Sequence, residues 1–159
     1  MTFETLLSIE PFSWGSVGAA ALCGTIVGLE RQLRGKPVGI RTSSLIVLGT
    51  YIFIAASISV AAEVTDPSRI IGQVVTGIGF LGAGVMLARE GMVVGVTSAA
   101  TIWALAAVGV CLAVVGALVA IKLAVLVVLI LFGVDLLEDY STALSRGVHS
   151  KYSSWRKND

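Results

Sequence analysis

The sequence predicts an all-α integral membrane protein, a five-helix transmembrane bundle. Three observations lead there. Of 159 residues, 56% are hydrophobic and 13% charged, against about 25% charge in an ordinary soluble domain. Several stretches with little or no charge approach or exceed the ~20 apolar residues that one bilayer crossing needs. The basic residues between those stretches gather on one side of the membrane when five crossings are counted.

The first stretch covers residues 14–29 and runs into "ERQLRGKPVGIR". Within it Ala20, Gly24 and Gly28 stand four apart, and Arg31 follows on nearly the same face. Small residues at this spacing let membrane helices approach closely. The second stretch covers residues 43–62. The third, residues 70–88, contains "TGIGFLGAG". Gly77, Gly79 and Gly82 there match G-x-G-x-x-G, which in a soluble chain suggests a dinucleotide-binding turn. That turn needs a preceding strand and an acidic residue about 20 positions on. Here the glycines lie in the middle of a long uncharged run, so a helix is predicted and nucleotide binding is excluded.

At about 100° per residue, Gly72, Thr76, Gly79 and Ala83 form one stripe of this third helix. Gln73, Gly77, Phe80 and Gly84 form the next, and Ile71, Val74, Val75, Ile78, Leu81 and Val85 the opposite arc. The bulky arc is expected to face lipid and the small stripe a neighbour. With glycine faces on both, the first and third helices are expected to touch, within one chain or across a dimer.

Residues 98–134 hold Lys122 as their only charge. This run is too long for one crossing, so a turn is expected near Gly116, with Lys122 near the outer surface. Beyond it, Leu137, Tyr140, Leu144 and Val148 recur at helical spacing and predict an amphipathic extension ending near Gly147. The chain thus divides into a transmembrane domain, residues 1–137, and a cytoplasmic extension and tail, residues 138–159.

Five crossings put Arg31, Arg34, Lys36, Arg41, Arg89, Arg146, Lys151, Arg156 and Lys157 on one side, and Arg69 and Lys122 on the other. The positive-inside rule then places the N-terminus outside and the C-terminus in the cytoplasm. The N-terminus lacks a basic region and carries Glu4 and Glu10, so no signal peptide is expected.

A formal net charge of +1 offers no bulk attraction for nucleic acid. Cys23 and Cys111 lie in apolar segments and fit neither a zinc pattern nor a disulfide framework. The single histidine, His149, lies in the polar tail. No catalytic constellation is present, so no enzyme is expected.

The polar residues each carry two readings. Glu30 and Arg31 are either a snorkelling pair or a cytoplasmic carboxylate on a cation route. Asp66 and Arg69, in "TDPSR", are either an N-cap ahead of Pro67 with an interfacial anchor or an outer charge pair at an ion path. Gln73, Thr76, Ser98 and Thr101 are helix-to-helix hydrogen-bonding groups or substrate contacts, and Thr97 is expected to cap the fourth helix. Asp135, Glu138 and Asp139 are a solvated helix end or hydrated Mg²⁺ ligands.

The blocks "GLERQ", "GIRT", "DPSRIIGQVVTGIGFLGAGVM" and "GVTSAATIWALAAVGV" resemble the MgtC/SapB family of bacterial membrane proteins. The resemblance spans about residues 15–137, with Ile40 where the family's "GLRT" has Leu, and Ser98 where it has Thr. It implies an inner-membrane protein of magnesium homeostasis, with Mg²⁺ as substrate or ligand. Within it stand two functions: divalent-cation transport, with Glu30 and Asp66 as candidate metal ligands, or regulation of another membrane complex such as the F-type ATP synthase. Virulence-associated members carry a cytoplasmic ACT-like domain after the last span. None is expected here, and functions that need it are not expected either. A homo-oligomer, with a dimer as one form of it, is the expected assembly.

Overall fold

The computed structural model describes residues 7–60, 67–89 and 92–140. It is helical throughout, apart from one short ribbon. The helices are α1 (Trp14–Leu33), α2 (Ile40–Val60), α3 (Pro67–Gly84), α4 (Val96–Val114) and α5 (Ala117–Tyr140). All five predicted helices are present, with the predicted turn between the last two. Among the described residues, α2, α4 and residues 117–134 of α5 are long and apolar enough to cross a membrane. The contacts divide the chain into two units, residues 1–127 and residues 128–159.

Local chemistry sets the helix ends. Ser13 holds extended backbone and its Oγ accepts from the Ser16 N–H at 3.0 Å, which caps α1. Pro67 opens α3, where its missing N–H costs nothing. Gly116, at φ +119, turns the chain between α4 and α5, and its N–H donates to the Cys111 carbonyl at 3.0 Å. That left-handed backbone is open to glycine and strained for other residues.

The start of α4 differs from expectation. Gly95, not Thr97, is the N-cap, at φ 92, and Thr97 lies inside the first turn. The cause is a ribbon that the hydropathy pattern did not reveal. Residues Leu87–Arg89 (β1) and Met92–Val94 (β2) pair antiparallel, with Leu87 opposite Val94 and Arg89 opposite Met92. Gly95 brings the chain out of this ribbon close against the Val85 carbonyl, where a side chain has no room. The third helix accordingly ends at Gly84 rather than near Ala88.

The core of the first unit lies among α1, α2 and α4. Cys23 and Val27 of α1, Val47 and Ile54 of α2, and Leu105 and Val108 of α4 are buried. Close backbone approach makes this possible. A Cβ on Gly24 would stand 2.8 Å from the Ser43 carbonyl carbon, and one on Gly28 would stand 2.7 Å from the Ile40 nitrogen. On the other flank of α2, a Cβ on Gly109 would stand 2.7 Å from the Val47 carbonyl oxygen. The glycine face of α1 therefore packs on α2, and the within-chain form of the expected α1–α3 contact is not among the principal helix contacts of the described residues.

Helix α3 packs chiefly on α4, with a smaller contact on α2. Its orientation also departs from expectation. Ile71, Val74 and Ile78 are half-buried, whereas Gly72, Thr76, Gly79 and Ala83 are exposed. In the single chain the bulky arc turns partly inward and the small stripe outward.

Candidate functional site

The last turn of α1 concentrates charge where the chain has little. Glu30 has a side chain 7% exposed and Arg31 one 3% exposed. The Arg34 Nε lies 2.8 Å from Glu30 Oε1, and an Arg31 Nη lies 3.6 Å from Oε2. The first of these distances is short enough for a hydrogen bond, but neither pair is aligned as one. Both Glu30 oxygens and Arg31 Nε are buried without a hydrogen-bond partner. A buried carboxylate keeps its charge at reasonable cost only beside a countercharge, and here two guanidiniums supply it. The unit carries one acid and two bases.

The connection that follows folds back on this cluster. The Lys36 N–H donates to the Arg31 carbonyl at 2.9 Å, and the Ile40 N–H donates to Gln32 Oε1 at 3.3 Å. Ser43 Oγ donates to the Val38 carbonyl at 3.0 Å. Val38 sits at φ 70 with its side chain buried, an unusual backbone for a β-branched residue. These bonds and the buried side chain hold it there. Arg41 follows in the first turn of α2, exposed.

The other candidates are dispersed. Arg69 is exposed in the first turn of α3. Gln73, Thr76, Gly77, Gly79 and Gly84 are exposed along α3, and Thr76 Oγ1 donates to the Gly72 carbonyl at 2.9 Å. Gly82 is buried against Ala99 of α4. Thr101 is buried, and its Oγ1 donates to Thr97 of its own helix at 2.8 Å. Thr97 itself is exposed. Asp66 lies outside the described residues, as do the tail beyond Tyr140 and the side chains of Asp135, Glu138 and Asp139. Among the described residues no three His, Cys, Asp or Glu side chains gather to hold a metal ion.

A second feature was not anticipated. α2 and α3 flank an open groove of about 640 Å³, floored by Ile46 and Thr50, with Arg41 among its lining residues. Its walls come from residues of two helices that are far apart in sequence, so no single stretch announces it.

The chain resembles known proteins over this whole region. The model of the MgtC family matches residues 17–140. The "Putative magnesium transporter YhiD" of Escherichia coli K12 is 50% identical over 98 residues, which cover 57% of this chain and 45% of that protein. "Protein MgtC" of Salmonella typhimurium LT2 is 47% identical over 93 residues, covering 58% of this chain and 39% of that protein. An uncharacterized protein of Haemophilus influenzae is 44% identical over 100 residues, 57% of this chain and 42% of that one. The matched region thus covers less than half the length of each of these relatives. No solved structure matches.

Proposed function

This chain belongs to the MgtC family, and on that premise we propose that it serves magnesium homeostasis by binding other membrane helices along the open face of α3. The protein is a multi-pass protein of the bacterial inner membrane. One observation carries the proposal. A Cβ placed on Gly72 or Gly79 would meet nothing within 4 Å among the described residues. A face of glycine, threonine and alanine gains little from lipid tails, which it cannot interlock with. It gains close van der Waals contact and weak Cα–H···O bonds from another helix. The partner is a second copy of this chain or a helix of another membrane complex.

Crosslinking from Gly79→Cys in native membranes tests this. The variant is expected to form a disulfide-linked product of twice the chain mass, or a heavier adduct with a partner chain. Recovery of the monomer alone under oxidising conditions would sink the proposal.

Transport is the second reading, and Glu30 favours it. Its carboxylate oxygens are buried and accept no hydrogen bond, as a ligand awaiting a cation would be. Its two arginine neighbours oppose it, because a divalent cation there meets a net positive unit. Asp66 is the second ligand in this reading. Mg²⁺ uptake into liposomes holding the purified protein decides the matter. Transport predicts uptake by the wild type and its impairment in the charge-removing variants Glu30→Gln and Asp66→Asn, and intact uptake in both would refute the site. No uptake by the wild type would remove the transport reading and leave the helix-binding one standing.

A further inference from the structure

The groove between α2 and α3 has a form that neither helix binding nor cation passage requires. Leu45, Gly49 and Phe53 of α2 face Val74, Gly77 and Ile78 of α3 across it. Leu45 is 62% and Phe53 67% exposed, so the walls are apolar and open outward. Its single charge is Arg41, and its other polar members, Thr42, Thr50 and Gln73, are uncharged. Arg41 forms no ion pair among the described residues. It lies in the first turn of α2, where backbone N–H groups lack helical partners and the helix dipole favours an anion.

Length identifies the occupant. From Arg41 to Phe53 the groove follows α2 for about 18 Å at the helical rise. One leaflet of hydrocarbon is roughly 15 Å deep, half of the usual core. A cation at the membrane boundary and an apolar channel one leaflet long match one molecule in charge and in extent. We infer that this groove binds an anionic phospholipid, with its phosphate at Arg41 and Thr42 and an acyl chain laid between α2 and α3. The volume of about 640 Å³ lies within the range of ordinary ligand sites. Arg41 has no ion pair among the described residues, and a phosphate supplies its countercharge. The groove lies on a different flank of α3 from the Gly72 and Gly79 stripe, so this inference stands apart from the helix-binding proposal.

The groove can be blocked without disturbing the fold. A Cβ on Gly49 meets nothing within 4 Å, so Gly49→Leu fills open space. Arg41 is exposed, so Arg41→Ala removes the charge and its side-chain stem without opening the core. Native mass spectrometry of the detergent-solubilised protein, titrated with phosphatidylglycerol or phosphatidylcholine, reads the result. The wild type is expected to retain one phosphatidylglycerol per chain in preference to phosphatidylcholine. Arg41→Ala should weaken retention about tenfold, the loss of one charge-assisted hydrogen bond. Arg41→Lys should restore most of it. Gly49→Leu should abolish retention while the melting temperature holds. Equal binding of the two lipids, or retention indifferent to Arg41→Ala, would overturn the inference. So would a dimer that Gly49→Leu dissociates with no lipid bound, which would assign the groove to a second copy.

Discussion

Glu30 and Arg31 are adjacent in the chain and almost wholly withdrawn from solvent. Neither is stable there alone. Removing one member of a buried pair leaves the other charged in a poor solvent, at a cost of about 3–5 kcal/mol. Glu30→Gln keeps the shape and removes the charge, leaving Arg31 buried without its nearest anion. We expect a loss of that order, read as a lower unfolding midpoint in detergent, with the double variant Glu30→Gln, Arg31→Gln recovering part of it. A midpoint unchanged in Glu30→Gln would mean that the charges are solvated and the pairing is incidental. Arg34 is 30% exposed at its side chain, so Arg34→Gln is expected to cost less. Val38 adds a local constraint, because its backbone depends on the Ser43 hydroxyl and on a buried side chain.

Among the helices, glycine plays two opposite parts. Gly24 and Gly28 of α1 and Gly109 of α4 permit contact inside the chain, whereas Gly72 and Gly79 of α3 lie on an open face. The same substitution therefore has different consequences. Gly109→Ala pushes a methyl to 2.7 Å from the Val47 carbonyl oxygen. Overpacking of this kind costs about 1–3 kcal/mol. Gly79→Ala meets open space and should be neutral or stabilising by up to about 1 kcal/mol, through helix propensity. Unfolding midpoints of the two variants in monomer-dispersing detergent test the contrast. Equal destabilisation would show that the α3 face is covered inside the chain after all. Length and hydropathy made the helices legible, because a crossing needs a long apolar run and little else. The ribbon between α3 and α4 was not legible by those criteria. It is three residues per strand, and "LAREGMVV" continues an apolar pattern on both sides of a short polar break.

For the protein as a whole, the distribution of basic residues predicts an outward N-terminus and a cytoplasmic C-terminus. Single cysteines in a background lacking Cys23 and Cys111 check it. Arg69→Cys should react with an impermeant maleimide in intact spheroplasts. Lys36→Cys should react only in inverted vesicles. The reverse labelling pattern would reverse the orientation, and with it the leaflet in which the α2–α3 groove opens. The five-helix order and its hydropathy are independent of that outcome.

Some of this protein was legible residue by residue. The number of helices, Pro67 as the first residue of α3 and the reversal at Gly116 follow from local chemistry. Polar backbone must bond within its own helix in lipid, and glycine and proline mark where helices stop. The blocks "QVVTGIGFLGAG" and "TSAATIWALAAVG" together were enough to suggest the family that the chain matches. Which small face meets which neighbour was not legible. Gly24 and Gly28 of α1, and Gly72 and Gly79 of α3, each lie on one stripe of small residues, yet the first pair is packed on α2 and the second is open. In lipid no difference in hydropathy separates a packed small face from an exposed one. Helix pairing is decided by the fit of surfaces and by a few hydrogen bonds. That fit exists only once α1, α2 and α4 are assembled. The same assembly buries Glu30 between two arginines and opens the groove beside Arg41.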